Sequence, residues 1–168
     1  MIGRDISFGS KATTLENLRV ALRSAKVLPL SYFTTLEWHD TPDVCIANIL
    51  KIRDNANWIV RSSGLQEDAQ MQSNAGKFLS ILNVETKGLS SAIDKVVQSL
   101  APGSEGDQIL VQPMLRDVVR SGVAFSHDPN TGSPYRIINW SEGKDTELVT
   151  SGRGGRTWHG TPTKADLC

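Results

Sequence analysis

Apolar positions recur along the chain at two spacings, and each spacing predicts a different element. Leu15, Leu18 and Leu22 fall on one face at helical spacing and predict a helix over residues 14–25. Val27-Leu28-Pro29 then ends it, because proline pushes its predecessor out of helical geometry. Residues 32–35 read as a short strand. Thr41-Pro42-Asp43 reads as a helix start: threonine can cap, proline suits the first turn, and aspartate favours the positive end of the dipole. Cys45, Ile46, Ile49 and Ile52 carry that helix until it fades near Asn55. Trp58-Ile59-Val60 predicts a buried strand that runs straight into Arg61-Ser62-Ser63-Gly64. Residues 66–77 are polar, contain glycine and lack a clear period, so a mobile loop is expected there. Strand character returns over residues 78–84. Leu89, Ile93, Val96, Val97 and Leu100 then mark the clearest amphipathic helix, over residues 89–100.

The second part of the chain alternates differently. Residues 109–112, 122–126, 135–140 and 148–150 read as strands, and Asp128-Pro129-Asn130-Thr131-Gly132 is turn chemistry between two of them. Pro102, Gly103 and Gly106 make residues 101–107 a loop and the best lobe boundary. The expected organisation is a lobe at 1–101, a strand-rich lobe at 102–152 and a tail at 153–168. Helices early and mostly antiparallel strands late make an α+β chain of two small lobes.

Composition narrows the function classes. Apolar residues make up 39% of the 168, enough to bury a core, so disorder is not expected. Lys plus Arg and Asp plus Glu are both 18, so the chain has no global attraction to nucleic acid or to an anionic membrane. A local basic site for phosphates stays open. Cys45 and Cys168 make neither a metal spacing nor a disulfide framework, and two free thiols are expected. No apolar run approaches the roughly 18 residues of a membrane helix, and a soluble, cytoplasmic protein is expected.

Several groupings can carry chemistry. Arg61 at the end of a buried strand would be held rigidly, and its planar fork suits phosphate. Ser62 and Ser63 beside it can donate hydroxyl bonds, and the small-residue stretch Ser73-Asn74-Ala75-Gly76 lets backbone N–H groups approach phosphate oxygens. An arginine paired with Glu67 or Asp68 accounts for the same residues. Lys11, in Gly9-Ser10-Lys11-Ala12 just before the first helix, can reach phosphates near a helix N-terminus; a solvated surface lysine is the plainer account. At Val111-Gln112-Pro113-Met114 a strand exits into a proline turn, where free backbone groups can read an adenine edge and Met114 can pack on the base. Asp145 and Glu147 lead into a strand and can hold Mg²⁺, which takes few protein oxygens and bridges substrate phosphates; a solvated acidic loop is the alternative. His127 has no partner at a recognisable spacing and is not read as a catalyst.

The order of these elements resembles the ATP-binding region of phosphoenolpyruvate synthases and pyruvate phosphate dikinases. The resemblance rests on Lys11, Arg61-Ser62-Ser63 with Glu67-Asp68, Ser73-Asn74-Ala75-Gly76, Val111-Gln112-Pro113-Met114 and Gly122-Val123-Ala124-Phe125-Ser126-His127-Asp128-Pro129 with Gly132, and covers roughly residues 8–152. It implies an ATP-grasp fold holding ATP and Mg²⁺ between two lobes. Lys11 and Arg61 would then contact phosphates as the catalytic pair, the stretch ending at Gly76 would close over them, and residues 111–114 would form the adenine hinge. Glu147, with Asp145, would be the metal side. Arg61 would face the Gln-Pro-Met turn across a gap sized for the nucleotide. The resemblance further implies a phosphohistidine carrier domain and an acceptor domain as partners, on the rest of a longer protein or on another chain.

The sequence departs from that pattern in three places. The segment between Thr34 and Trp58 is shorter than in typical synthases, Gly64 stands where alanine is common, and nothing after Gly152 resembles the carrier or the barrel domain. Full turnover by the synthase route is therefore not expected of this chain alone. A kinase acting on a small metabolite, and a non-catalytic nucleotide-binding remnant, remain as alternative readings.

Overall fold

The computed structural model describes residues 9–53, 57–64, 79–100, 106–143 and 145–161. The chain divides into two compact units, Met1–Met114 and Leu115–Cys168.

The first unit is built on a four-stranded antiparallel sheet of order β1-β4-β2-β3, from β1 (Ser31–Thr34), β2 (Trp58–Ser63), β3 (Ser80–Val84) and β4 (Gln108–Pro113). Alternation gives the two central strands two different faces. Trp58 and Val60 of β2 with Ile109 and Val111 of β4 pack against Leu89, Ile93 and Val96 of helix α4 (Leu89–Ser99). The same core takes Phe33, Trp38, Cys45 and Ile49. The opposite face carries Leu110, which packs with Leu30 and with Ala12 of helix α1 (Lys11–Ala21). Burial on both sides is why Trp58-Ile59-Val60 is a continuous apolar run.

Local chemistry sets the helix ends. Ser10 caps α1 by accepting the Thr13 N–H at 3.2 Å, so the helix starts at Lys11 rather than at Thr14. It ends at Ala21, short of the expected residue 25. Val20 and Leu22 are exposed, so no packing rewards a further turn. Helix α2 (Thr35–Asp40) is too short to show a period, but its capping box is complete: Thr34 Oγ1 accepts the Glu37 N–H, and Glu37 Oε2 accepts the Thr34 N–H at 2.7 Å. Helix α3 (Pro42–Leu50) starts on its proline as expected. Thr41 makes no side-chain cap there, since its hydroxyl donates to the Glu37 carbonyl at 3.1 Å.

The second unit is a three-stranded antiparallel meander of β5 (Arg120–Phe125), β6 (Arg136–Glu142) and β7 (Arg156–Gly160). The turn between β5 and β6 forms as its residues require: Asp128 Oδ1 accepts the Asn130 N–H at 2.8 Å, and Gly132 sits at φ 68°. The Asn130 N–H on this carboxylate, first among its causes, holds Asp128 below the usual carboxylate range.

Three expectations are corrected. The boundary expected after residue 101 does not coincide with the units, because β4 hydrogen-bonds to both β1 and β2 and so belongs to the first sheet. Residues 148–150 are turn rather than strand: Ser151 N–H bonds back to Glu147 O, Gly152 N–H to Val149 O and Arg153 N–H to Leu148 O, and Gly152 takes φ 70°. The stretch read as the start of a tail supplies β7, which pairs along the edge of β6. The loop expected at 66–77 lies outside the described residues. Among the described residues, no helix is long and apolar enough to cross a membrane.

Candidate functional site

The register of β2 against β4 stacks three rungs on the α1 side of the sheet: Ser63 opposite Gln108, Arg61 opposite Leu110, and Ile59 opposite Gln112. Arg61 and Gln112 are therefore diagonal neighbours on one face, a spacing of about 7–8 Å between their backbones. From the first rung to the third is about 13–14 Å. Most of this face is closed. Ser63, Leu110, Ile59 and Gln112 are buried, whereas Arg61 is partly exposed.

The first rung holds the start of α1. Ser63 Oγ accepts the Ala12 N–H at 2.8 Å, in a fully buried bond. On the partner strand, Gln108 Oε1 accepts the hydroxyl of Ser10, the residue that caps the helix. Lys11 lies between these two anchored residues and thus over the end of the face that carries Arg61. The N–H groups of Ala12 and Thr13 are already taken by Ser63 and Ser10. The Ala12 and Thr13 N–H groups of the helix terminus are therefore not open to an anion.

The structure thus brings Lys11, Ser63, Arg61 and Gln112 to one side of one sheet, and it rearranges the rest. The ends of β2 and β4 do not confront each other across a gap: the strands are hydrogen-bonded neighbours running in opposite directions. Ser62 follows the alternation to the opposite face, pairs with Ile109 and is 1% exposed. Its Oγ has no hydrogen-bond partner among the described residues, and it cannot reach a ligand beside Arg61. Val111 also points into the α4 core, and its backbone lies between β1 and β2. Gln112 turns its N–H and C=O toward Ile59 of β2, as Met114 does toward Asn57, so the backbone group open on the β1 side among the described residues is the Pro113 carbonyl. β1 pairs with β4 no further than Val111, so Gln112 and Pro113 have no strand neighbour on that side among the described residues. The Met114 N–H donates to Asn57 O at 2.7 Å and is not available to a base. Ser73 and Gly76 lie outside the described residues.

Asp145 and Glu147 belong to the second unit. Asp145 spends one oxygen on the Glu147 N–H at 3.0 Å and the other on Arg153 at 3.0 Å. Glu147 is exposed on the turn that follows. A carboxylate neutralised by arginine is a poor metal ligand, so the pair does not fit a Mg²⁺ centre as arranged. No group of three or more His, Cys, Asp or Glu able to hold a metal occurs among the described residues. Two hollows of the first unit lie away from the Arg61 face. One, of about 400 Å³, is bordered by Trp38, His39, Ser90 and Asp94; the other, of about 450 Å³, is bordered by Leu82, Lys87 and Lys95.

Sequence reasoning missed the roles of Ser10 and Gln108. Ser10 was recognisable as a cap just ahead of the helix. Its partner is 98 residues away, and no local pattern announces such a pairing. No curated protein matches the chain. Residues 44–103, which run from α3 through β2 and β3 to the end of α4 and include Arg61, Ser62 and Ser63, match the family model described as pyruvate phosphate dikinase, AMP/ATP-binding domain.

Proposed function

We propose that this chain is the ATP-gripping part of a phosphotransferase of the phosphoenolpyruvate synthase and pyruvate phosphate dikinase type, on an ATP-grasp-like fold. The observation that carries the reading is the shared face of Lys11, Ser63, Arg61 and Gln112, with Arg61 as its partly exposed member. Three rungs separate a phosphate end, at Lys11, from a base end, at the Pro113 carbonyl beside Gln112. The Arg61 fork, emerging from a central strand, engages phosphate oxygens bidentately without having to be ordered first. Lys11 adds a point charge from the anchored helix start. Ser63 is fully buried and serves the site by holding the start of α1. These groups bind, orient and neutralise, which is most of what phosphoryl transfer asks of a protein. Mg²⁺, when bound with ATP, would neutralise charge on the phosphate oxygens. Carrier and acceptor domains would complete the reaction.

The test is a thermal-shift titration with ATP, ADP and GTP, with and without Mg²⁺. Ligand at 100 times its dissociation constant adds about 2.7 kcal/mol of stability. Arg61→Ala removes charge-assisted bonds of about 1.5–3 kcal/mol, a loss of ATP affinity of about ten- to a hundredfold. No shift with any nucleotide refutes the function, and unchanged ATP affinity in Arg61→Ala refutes the site.

A further inference from the structure

We infer that Gln108 is a positioning residue for phosphate recognition, acting through Ser10 on Lys11; the inference rests on the function proposed above. α1 is weakly held by apolar contact. Ala12 is its one buried residue among those described, with Leu15 packing partly beside it, while Val20 is 72% exposed. The placement of its first turn therefore leans on polar bonds, and two of these come from a single rung. Ser63 of β2 and Gln108 of β4 stand opposite each other. Ser63 takes the Ala12 N–H and Gln108 takes the Ser10 hydroxyl, so Lys11 is clamped from both flanks.

The two bonds do different work. Ser63 satisfies a buried backbone donor, and its loss would be felt first as instability. Ser10 already caps the helix through Thr13, so the bond to Gln108 adds nothing to the cap. What it adds is a fixed direction for the turn, set from the strand whose far end is Gln112. One strand thereby joins the lysine to the residues assigned to the base.

The experiment measures dissociation constants for ATP and for adenosine in the wild type, Gln108→Met, Gln108→Ala, Lys11→Met and the Gln108→Met/Lys11→Met pair. Methionine keeps the volume and removes the acceptor. The expected result is a five- to twentyfold loss of ATP affinity in Gln108→Met, unchanged adenosine affinity, and a double variant no weaker than Lys11→Met alone. Equal losses for ATP and adenosine, or losses that multiply in the double variant, overturn the role of Gln108 while leaving the proposed function standing. Unfolding of both Gln108 variants overturns it too, by making the residue one of stability. Wild-type protein that binds neither ligand overturns both readings.

Discussion

Replacing Ser62 and Ser63 by alanine, one at a time, puts the strand register to a sharp test. The two residues are adjacent, chemically identical and equally buried, at 1% and 0% exposure. Composition and burial alone therefore demand equal effects. The structure demands opposite ones. Ser63 Oγ is the acceptor for the Ala12 N–H at 2.8 Å, and Ala12 is itself fully buried, so water cannot take over. Ser63→Ala leaves that donor unsatisfied at a cost of about 1–3 kcal/mol. Ser62 Oγ has no partner among the described residues, so the folded protein already bears its desolvation. Ser62→Ala removes a burden of about 1–3 kcal/mol, offset in part by the small void left by one oxygen. Its stability should be unchanged or raised by up to about 2 kcal/mol. Thermal unfolding resolves this, at roughly 4 °C per kcal/mol for a unit of this size. Hydrogen exchange adds a second readout: Ser63→Ala should release the α1 amides first, because α1 can detach before the sheet opens. If Ser62→Ala destabilises as much as Ser63→Ala, the faces have been assigned wrongly and the site with them.

Three further outcomes follow from single contacts. Trp38→Phe should cost about 1–3 kcal/mol, because it keeps a ring stacked on Phe33 (centroids 5.7 Å apart) but loses the indole bond to Asp94 at 2.9 Å and part of the buried ring volume. Trp38→Ala should cost about 3–5 kcal/mol in the same urea titration, and equal values would remove any role for the stack and the packing around it. Gly122→Ala should destabilise the second unit by about 1–3 kcal/mol, since a Cβ there collides with the Asn139 carbonyl across the β5–β6 pair; full exchange protection retained in β5 and β6 would contradict this. Burial, ahead of the nearby Glu37 charge, pushes the Cys45 thiol up. A raised folded value favours the neutral thiol, so its contribution is present below the ordinary thiol pKa and is lost as pH rises through the raised one. In a Cys168→Ser background, native protein should react slowly with a thiol reagent at neutral pH, and fast labelling without unfolding would refute the buried placement.

Much of the architecture was legible before any coordinates. The apolar run at Trp58 and the helical stripe from Leu89 predicted β2 and α4, because burial on two faces and on one face write different patterns. Pro42 marked the start of α3, and Asp128 to Gly132 marked the hairpin. Failures fell where a local signal was short or was overridden. Six residues of α2 cannot display a period, although Thr34 and Glu37 spelled its cap. Residues 148–150 have strand composition, but the Asp145 and Gly152 turns close the chain on itself first. The edge of β6 recruited residues 156–160, which carry no strand pattern of their own.

The amino-acid sequence by itself determined which residues have the chemistry that suits phosphate and the order in which they stand, because charge, planarity and small size are properties of single residues and short runs. It could not determine which of them share a face. Alternation turns Arg61 and Ser63 one way and Ser62 the other, and the pairing of β2 with β4 brings Gln112 to the same side as Arg61. Bonds across 51 and 98 residues tie the start of α1, on either side of Lys11, to that face. Only tertiary structure decides such matters, because strand register and long-range hydrogen bonds are set by the whole sheet finding one packing that buries its apolar faces together.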